Sequence, residues 1–323
     1  MTDTDVENSA GELPVEVCTE QCQSAISLNM QMALRANGGR GRQRLLCSDI
    51  SRGREPHPLP CVNEVDDTPL PDDFTYITAH VTPQPIAIDC TTQSLQGCSC
   101  TSGDCTSGNC ECVVLGVRRW WVRDRLKPGF PYHDPPMLFD CNQTCGCDAR
   151  KCKNTIISPL CVRGSLFIRA QVFRCGGARG WGLRAMAAAP RGTPVATYCG
   201  ELLSMADADS RTMDQYMFAL DVKPDLLEQC SEKTLLCVDA GRWGGAARFI
   251  NHSCRPNLAP VRVFTNTRDL RLPTVTLFAA RDIRIGDELT FDYGEKFWSV
   301  KSKWMKCECG TPDCRYTEQQ TES

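Results

Sequence analysis

The sequence predicts a mostly β fold of many short strands, joined to a loop-rich module held by metal rather than by hydrophobic burial. β-Branched and aromatic runs punctuated by Gly and Pro recur through the second half, at 165–173, 193–198, 261–264 and 274–278. The 23 cysteines of this 323-residue chain are unevenly spread, nine of them falling between Cys98 and Cys152. Helical periodicity is scarce. The candidates are 17–36, where Ile26, Met30 and Ala33 share a face, and 204–210.

Taken in order, residues 1–44 read as a flexible tail with a candidate short helix and a Gly/Arg linker at 37–44. The Pro-rich stretch 45–97 reads as extended chain wrapping over a neighbouring surface. The cysteine module occupies 98–160, the β domain 161–297, and a cysteine-bearing tail 298–323. Hydrophobic residues at 41% and charged residues at 23% are those of a globular chain. The first residues are acidic and carry no apolar run, and nothing approaches the roughly 18 apolar residues that cross a bilayer. A soluble intracellular protein with no membrane contact is expected. In that setting clustered cysteines are metal ligands rather than disulfides.

Cysteine spacing supports metal. The block reads C-x-C-x4-C-x4-C-x-C (Cys98, Cys100, Cys105, Cys110, Cys112), then C-x3-C-x-C-x4-C (Cys141, Cys145, Cys147, Cys152). No C-x2-C occurs, which argues against finger-type sites. Nine thiolates exceed the eight that two separate tetrahedral zincs use. Three zincs need twelve ligand positions, which nine thiolates supply if three of them bridge. Three divalent ions against nine thiolates leave a formal charge of −3. Arg118, Arg119, Arg150, Lys151 or backbone N–H groups are the candidates to offset it. Such a closed site is structural, and its binding energy is folding energy. Cys307, Cys309 and Cys314 form a further C-x-C-x4-C, with Cys254 as the candidate fourth ligand. Four zincs per chain are expected in all.

Three motifs converge downstream: Gly180-Trp181-Gly182, then Arg248-Phe249-Ile250-Asn251-His252-Ser253-Cys254, then Glu288-Leu289-Thr290-Phe291-Asp292-Tyr293-Gly294. Singly, each has a plain structural explanation. In this order, between a nine-cysteine block and a C-x-C-x4-C tail, they resemble the SET-domain histone lysine methyltransferases with pre-SET and post-SET modules. Pro60-Cys61-Val62-Asn63, Phe139-Asp140-Cys141-Asn142-Gln143, Pro260-Val261-Arg262-Val263-Phe264 and the run from Asp292 to Trp298 resemble the euchromatic histone H3 lysine-nine methyltransferases, in their catalytic part. The resemblance implies a SET fold of small curved β-sheets, with 248–254 and 288–294 threaded into a C-terminal pseudoknot. It also implies methyl transfer from S-adenosylmethionine to a lysine of the histone H3 tail, most specifically lysine nine, and repression in nuclear chromatin, while Phe291, without a hydroxyl, and Tyr198, with one, point to mainly mono- and dimethylation.

Residue roles follow from the resemblance. Cofactor contacts fall on Arg179, Gly180, Trp181, Tyr216, Asn251, His252 and Glu308, while Arg248 is read either as part of the site or as a buried structural cation. Tyr293 stands at the transfer point, Tyr198 and Phe291 line the lysine channel, and Phe297 and Trp298 close its outer end. Asp209 and Asp214 would grip a basic residue beside the target lysine, but Met205 and Ala219 stand where the family carries acids. A longer insertion, 221–236, follows. The chemistry suits these residue types. A lysine with a reference pKa of about 10.4 is neutral in only about one molecule in a thousand at pH 7, so a desolvating aromatic channel is needed to shed its proton. A tyrosine of pKa about 10 is a poor free base, so Tyr293 is expected to orient rather than deprotonate.

The net charge of −3 fits a basic peptide better than a phosphate backbone. A histone H3 tail and chromatin-associated proteins are therefore the expected partners, with no direct sequence-specific nucleic-acid binding. Two other readings remain. A zinc-stabilised histone-binding scaffold is opposed by the intact Tyr293, Asn251, His252 and GWG. A zinc-dependent ubiquitin ligase or DNA-binding domain is opposed by the missing C-x2-C and the charge.

Overall fold

The computed structural model describes residues 44–82, 97–101, 105, 109–148, 151–212, 214–220 and 235–317. The candidate helix at 17–36, Cys18, Cys22, Arg150 and most of the 221–236 insertion lie outside them. Among the described residues the architecture is six small sheets, none wider than four strands, with four helices of five to seven residues. None of these helices is long and apolar enough to cross a membrane.

The expected strand runs form strands, trimmed or extended by a few residues: Ala170–Arg174, Pro194–Thr197, Leu258–Phe264 and Thr274–Ala279. Leu258–Phe264 pairs antiparallel with Thr274–Ala279, which pairs in turn with Pro194–Thr197. Val195, Ala196, Val261, Val263, Leu277 and Phe278 are fully buried, so this sheet is apolar on both faces. The 204–210 candidate is a helix, Met205–Asp209, begun by Ser204, whose side chain accepts from the Asp207 N–H.

The described part of the 45–97 stretch, up to residue 82, is more than a wrapping strap. Arg44–Cys47 pairs with Cys61–Asn63, and that strand joins Ala170–Arg174 in parallel. Thr75–Tyr76 likewise pairs with Trp243–Gly244. Buried Glu55 pins the segment, accepting from Tyr76 Oη (2.8 Å), Ser165 Oγ (2.6 Å) and the N–H groups of Ser165 and Leu166 (2.9 and 3.0 Å). An added Cβ at Gly164 would lie 2.2 Å from Glu55 Oε2, so glycine is required there. The irregular composition hid these strands because each is only two to four residues long.

Asn251–His252 pairs in parallel with Thr290–Phe291, although the two segments lie some 40 residues apart. Ser253 N–H donates to Phe291 O (3.1 Å), and Asn257 Nδ2 to Glu288 O (2.8 Å). This is the threaded crossing of the expected pseudoknot. It brings the second and third motifs side by side and, through the bond from Leu289 N–H to Leu183 O (2.8 Å), joins them to the strand Trp181–Ala185 that begins at the first.

Candidate active site and cysteine metal centres

The expected cofactor residues converge. Arg179, Gly180, Trp181, Tyr216, Asn251, His252 and Glu308 all line one cleft of about 440 Å³, a size suited to a ligand of drug-like mass. Gly180, at φ 61°, turns the chain so that backbone faces this cleft, a conformation that costs a side-chain-bearing residue energy. Arg179 is ion-paired with Glu288, and Asn251 Nδ2 donates to the same carboxylate (3.1 Å) and to Trp181 O (3.2 Å). Glu288 thus fixes two of the lining residues. Sequence reasoning quoted it within a motif but gave it no role. The 68–73 segment also walls the cleft and went unassigned; its Pro-rich texture carries no site signal.

A second cavity of about 630 Å³ lies behind the first and shares Gln215, Tyr216, Arg248, Tyr293 and Phe297 with it. Its lining includes Tyr198 and Phe291. Aromatic rings form a chain along it. Tyr198 lies 5.3 Å from Phe218, Phe218 6.2 Å from Phe291, Phe291 4.8 Å from Tyr293, and Tyr293 4.9 Å from Phe297. Phe218 was missed by the sequence reading, since it falls in none of the quoted motifs. Tyr293 Oη donates to Ile250 O (3.0 Å), and Tyr198 Oη to Tyr216 O (2.7 Å). Burial pushes both phenols above their ordinary range, so both stay protonated and neither serves as a base near neutrality.

His252 is locked. Its Nδ1 accepts from Tyr293 N–H (3.1 Å) and Trp298 Nε1 (3.4 Å), which puts the proton on Nε2, 3.4 Å from Cys254 Sγ. Burial brings its pKa down to about 4, so the ring is neutral near pH 7. Arg248 is an interior cation. Its Nε donates to Ala240 O (3.0 Å) and its guanidinium stacks 4.0 Å from Phe74 and 4.4 Å from Tyr216, yet it borders both cavities.

The expected peptide-binding residues are less well gathered. Phe297 and Asp214 line the second cavity, Asp214 ion-paired with Lys301. Trp298 does not close that cavity: it is buried, stacks 4.8 Å from Tyr316 and faces the cofactor cleft. Asp209 ends its helix exposed and borders neither cavity. Met205 packs against the Leu203, Ala208 and Cys237 cluster, while Ala219 lines the second cavity.

The cysteines gather in two places. Overlapping four-sulfur groups comprise Cys98, Cys105, Cys141 and Cys147; Cys98, Cys110, Cys112 and Cys141; and Cys98, Cys100, Cys105 and Cys110. Cys145 lies 3.6 Å from Cys112, and Cys152 is packed in the same cluster. Cys254, Cys307, Cys309 and Cys314 form the second place. A tetrahedron with zinc–sulfur bonds of about 2.3 Å has sulfur–sulfur edges of about 3.8 Å. The structure gives 3.7 Å for Cys98–Cys105, 3.9 Å for Cys98–Cys141 and 3.9 Å for Cys254–Cys314. Thiolate zinc therefore fits both places. The charge is offset by a residue not anticipated: buried Arg268 donates to Cys112 Sγ (2.9 Å) and Asp140 O (2.8 Å). Arg118 instead stacks on Trp120. N–H groups of Asn142 and Asn154 point at Cys145 and Cys152 (3.3 Å each).

Comparison with known proteins agrees with this geometry. The SET domain model matches residues 180–294 and the Pre-SET motif model residues 51–155. Human histone-lysine N-methyltransferase EHMT1 (Homo sapiens) is 42% identical over 276 residues, 85% of this chain and 20% of that protein. The H3 lysine-9 specific SUVH4 of Arabidopsis thaliana is 34% identical over 84% of this chain and 46% of its own length. This chain thus spans between a fifth and half of these relatives. Among solved structures, KRYPTONITE in complex with mCHH DNA, H3(1-15) peptide and SAH has a TM-score of 0.67 at 36% identity, covering 84% of this chain and 53% of that one. A structure that bears on the product specificity of histone lysine methyltransferases has a TM-score of 0.63 at 30% identity, covering 80% of this chain and 98% of that one.

One expectation is corrected. KRYPTONITE is bound to mCHH DNA in one of these structures and to mCHG DNA in another, which overturns the exclusion of direct, sequence-specific nucleic-acid binding. Net charge averages over a whole surface, whereas phosphate contact depends on local cation density. With its pseudoknot, its paired cavities and its two cysteine centres, the chain belongs to the SET-domain histone lysine methyltransferases and carries their pre-SET and SET modules.

Proposed function

We propose that this chain methylates a lysine of the histone H3 tail, most specifically lysine nine, with S-adenosylmethionine as donor, and acts in nuclear chromatin, in a repressive role. The observation that carries this is Tyr293, whose ring borders both cavities. The Asn251, His252, Arg179 and Glu308 side of the cleft would hold the donor, which supplies an electrophilic methyl on a sulfonium. The aromatic chain of the second cavity would take the lysine, and desolvation there favours its neutral amine. Tyr293 and Tyr198, kept as neutral phenols, orient the amine rather than deprotonate it, and in-line positioning supplies much of the acceleration. The second cavity is lined by Phe291 rather than a second phenol there, which suits mono- and dimethylation. Asp214 is the acid placed to meet a basic neighbour of the target lysine, and Asp209 plays no part at the cavity.

Four zincs accompany this reading: three share the nine cysteines 98 to 152, and one sits on Cys254, Cys307, Cys309 and Cys314. The modules run 98–160, 161–297 and 298–323, with the described residues 45–82 paired to strands of the second. DNA contact, shown for KRYPTONITE, extends to this chain as part of the proposal. The test is incubation with labelled S-adenosylmethionine and an H3 tail peptide. Label should enter the peptide and disappear when lysine nine is replaced by arginine. Equal labelling of both peptides would end the lysine-nine assignment, and no labelling of any histone would end the enzyme assignment.

A further inference from the structure

A cation-rich surface lies away from both cavities. Trp121–Val122 and Arg125–Leu126 form a two-stranded hairpin in which Trp121 faces Leu126 and Val122 faces Arg125. Trp121 and Leu126 are buried, so by strand alternation Val122 and Arg125 stand on the solvent side, with Arg123 at the exposed tip. Arg123 holds φ 56°, a backbone state that turns the tip tightly. The base of the hairpin is an aromatic ladder capped by cations at both ends. Arg118 stacks 4.0 Å over Trp120, Trp120 lies 5.1 Å from Phe130, Phe130 5.0 Å from Tyr132, and Arg191 lies 5.1 Å over Tyr132. The hairpin is tied to the Arg191 side by the bond from Leu126 N–H to Gly192 O (2.9 Å) and to Trp120 by that from Lys127 N–H to Trp120 O (2.8 Å).

Arg118, Arg119, Arg123, Arg125, Lys127 and Arg191 are all carried on the hairpin, its base and the segment bonded to it. Among the described residues, only Arg125 of the six is in an ion pair, with Asp124 at 3.3 Å. Asp282 meets Arg191 through the backbone N–H and not through the guanidinium. A chain of net charge −3 has concentrated unpaired cations here. Cations stacked on aromatic rings are held extended at small entropic cost and remain hydrogen-bond donors at their edges.

We infer that this hairpin face binds the phosphate backbone of duplex DNA, anchoring the chain beside the histone tail it modifies. The choice of duplex DNA rests on the proposed histone substrate, whose tail emerges next to DNA; the cationic surface itself does not depend on it. Contacts of this kind position without reading bases.

The test measures anisotropy of a labelled duplex of roughly 20 base pairs with the full chain, as a function of salt. The triple variant Arg118→Gln, Arg123→Gln and Arg125→Gln should bind at least about tenfold more weakly near 100 mM salt, with the slope of log K against log salt smaller by about 3. The corresponding triple Arg→Lys variant should retain the slope, because charge and not geometry is being read. Methylation of free H3 peptide should be unchanged in both variants, while the KM for nucleosomes rises in the Gln variant alone. An unchanged salt slope in the Gln variant would overturn the inference. So would loss of binding in the Lys variant, or displacement of duplex by polyglutamate at equal charge, which would point to an acidic protein instead. The binding readout needs no catalysis, so it fails separately from the enzyme assignment.

Discussion

Replacing Arg268 with methionine should loosen the nine-cysteine centre while sparing the Cys254 centre. Arg268 is 5% exposed, and its guanidinium donates to Cys112 Sγ at 2.9 Å and to Asp140 O at 2.8 Å, with Cys145 Sγ at 3.9 Å. Methionine fills much of the same volume but removes the cation facing a thiolate-rich cluster. Truncating one partner of a buried charge pair costs about 3–5 kcal/mol, because the charge left behind is uncompensated. For a chain of 323 residues each kcal/mol corresponds to roughly 1.5 °C in Tm, so a drop on the order of 5 °C is expected. The assay is a thermal melt beside a chromogenic chelator that follows zinc release. The variant should release its first zincs faster, and those zincs should be the ones that survive removal of the Cys254 site by mutation. A Tm within about 2 °C of the parent, with unchanged release, would refute the assignment of charge compensation to Arg268.

The remaining expectations concern the site itself. Tyr293→Phe removes only the hydroxyl that donates to Ile250 O, so stability should fall by about 1 kcal/mol while labelled methyl transfer falls by a hundredfold or more, on the order of an orienting group's contribution. Phe291→Tyr should restrict products to monomethyl-lysine and Tyr198→Phe should admit trimethyl-lysine; mass spectrometry of peptide products over time decides both. Cys254→Ser should lower bound zinc from four to three by metal analysis and abolish activity; loss of all four would sink the separate-centre reading. Asp214→Asn should raise the peptide KM more than it lowers kcat, whereas Asp209→Asn should leave both unchanged, since Asp209 borders neither cavity.

What the sequence made legible depended on chemistry carried by spacing. Cysteine intervals pointed to two gathering places that the structure also brings together, and the NHSC motif added the distant Cys254, because thiolates must approach within a few ångströms to share an ion. The lining of the cofactor cleft was legible because GWG, NHSC and FDYG are short contiguous motifs. Residues acting across the fold were not. Arg268 lies 156 residues from Cys112, and Arg179 lies 109 from Glu288, so no local pattern announces either pair. Phe218 sits in a three-residue edge strand, where one aromatic carries no periodicity. The Trp298 expectation failed for a related reason. Adjacent residues on the helix Glu295–Lys301 point in different directions, so Phe297 faces the second cavity while Trp298 turns inward to His252.

The C-terminal cysteine centre lies directly beside the cofactor cleft. Cys307 and Cys309 border the cofactor cleft together with Glu308, so the tail that supplies one wall is held by the centre it shares with Cys254. Cys254 lies two residues beyond His252, and the His252 Nε2 proton points at its sulfur. The opposite nitrogen accepts from the Tyr293 backbone N–H and from Trp298. A thiolate made anionic by zinc binding is a stronger acceptor than a thiol, so a metal held here would favour this histidine tautomer and with it the backbone position of Tyr293. Zinc bound at this centre would therefore act on the site without touching substrate, through these three hydrogen-bonded groups. Its removal should disturb the placement of Tyr293 as well as the closure of the tail.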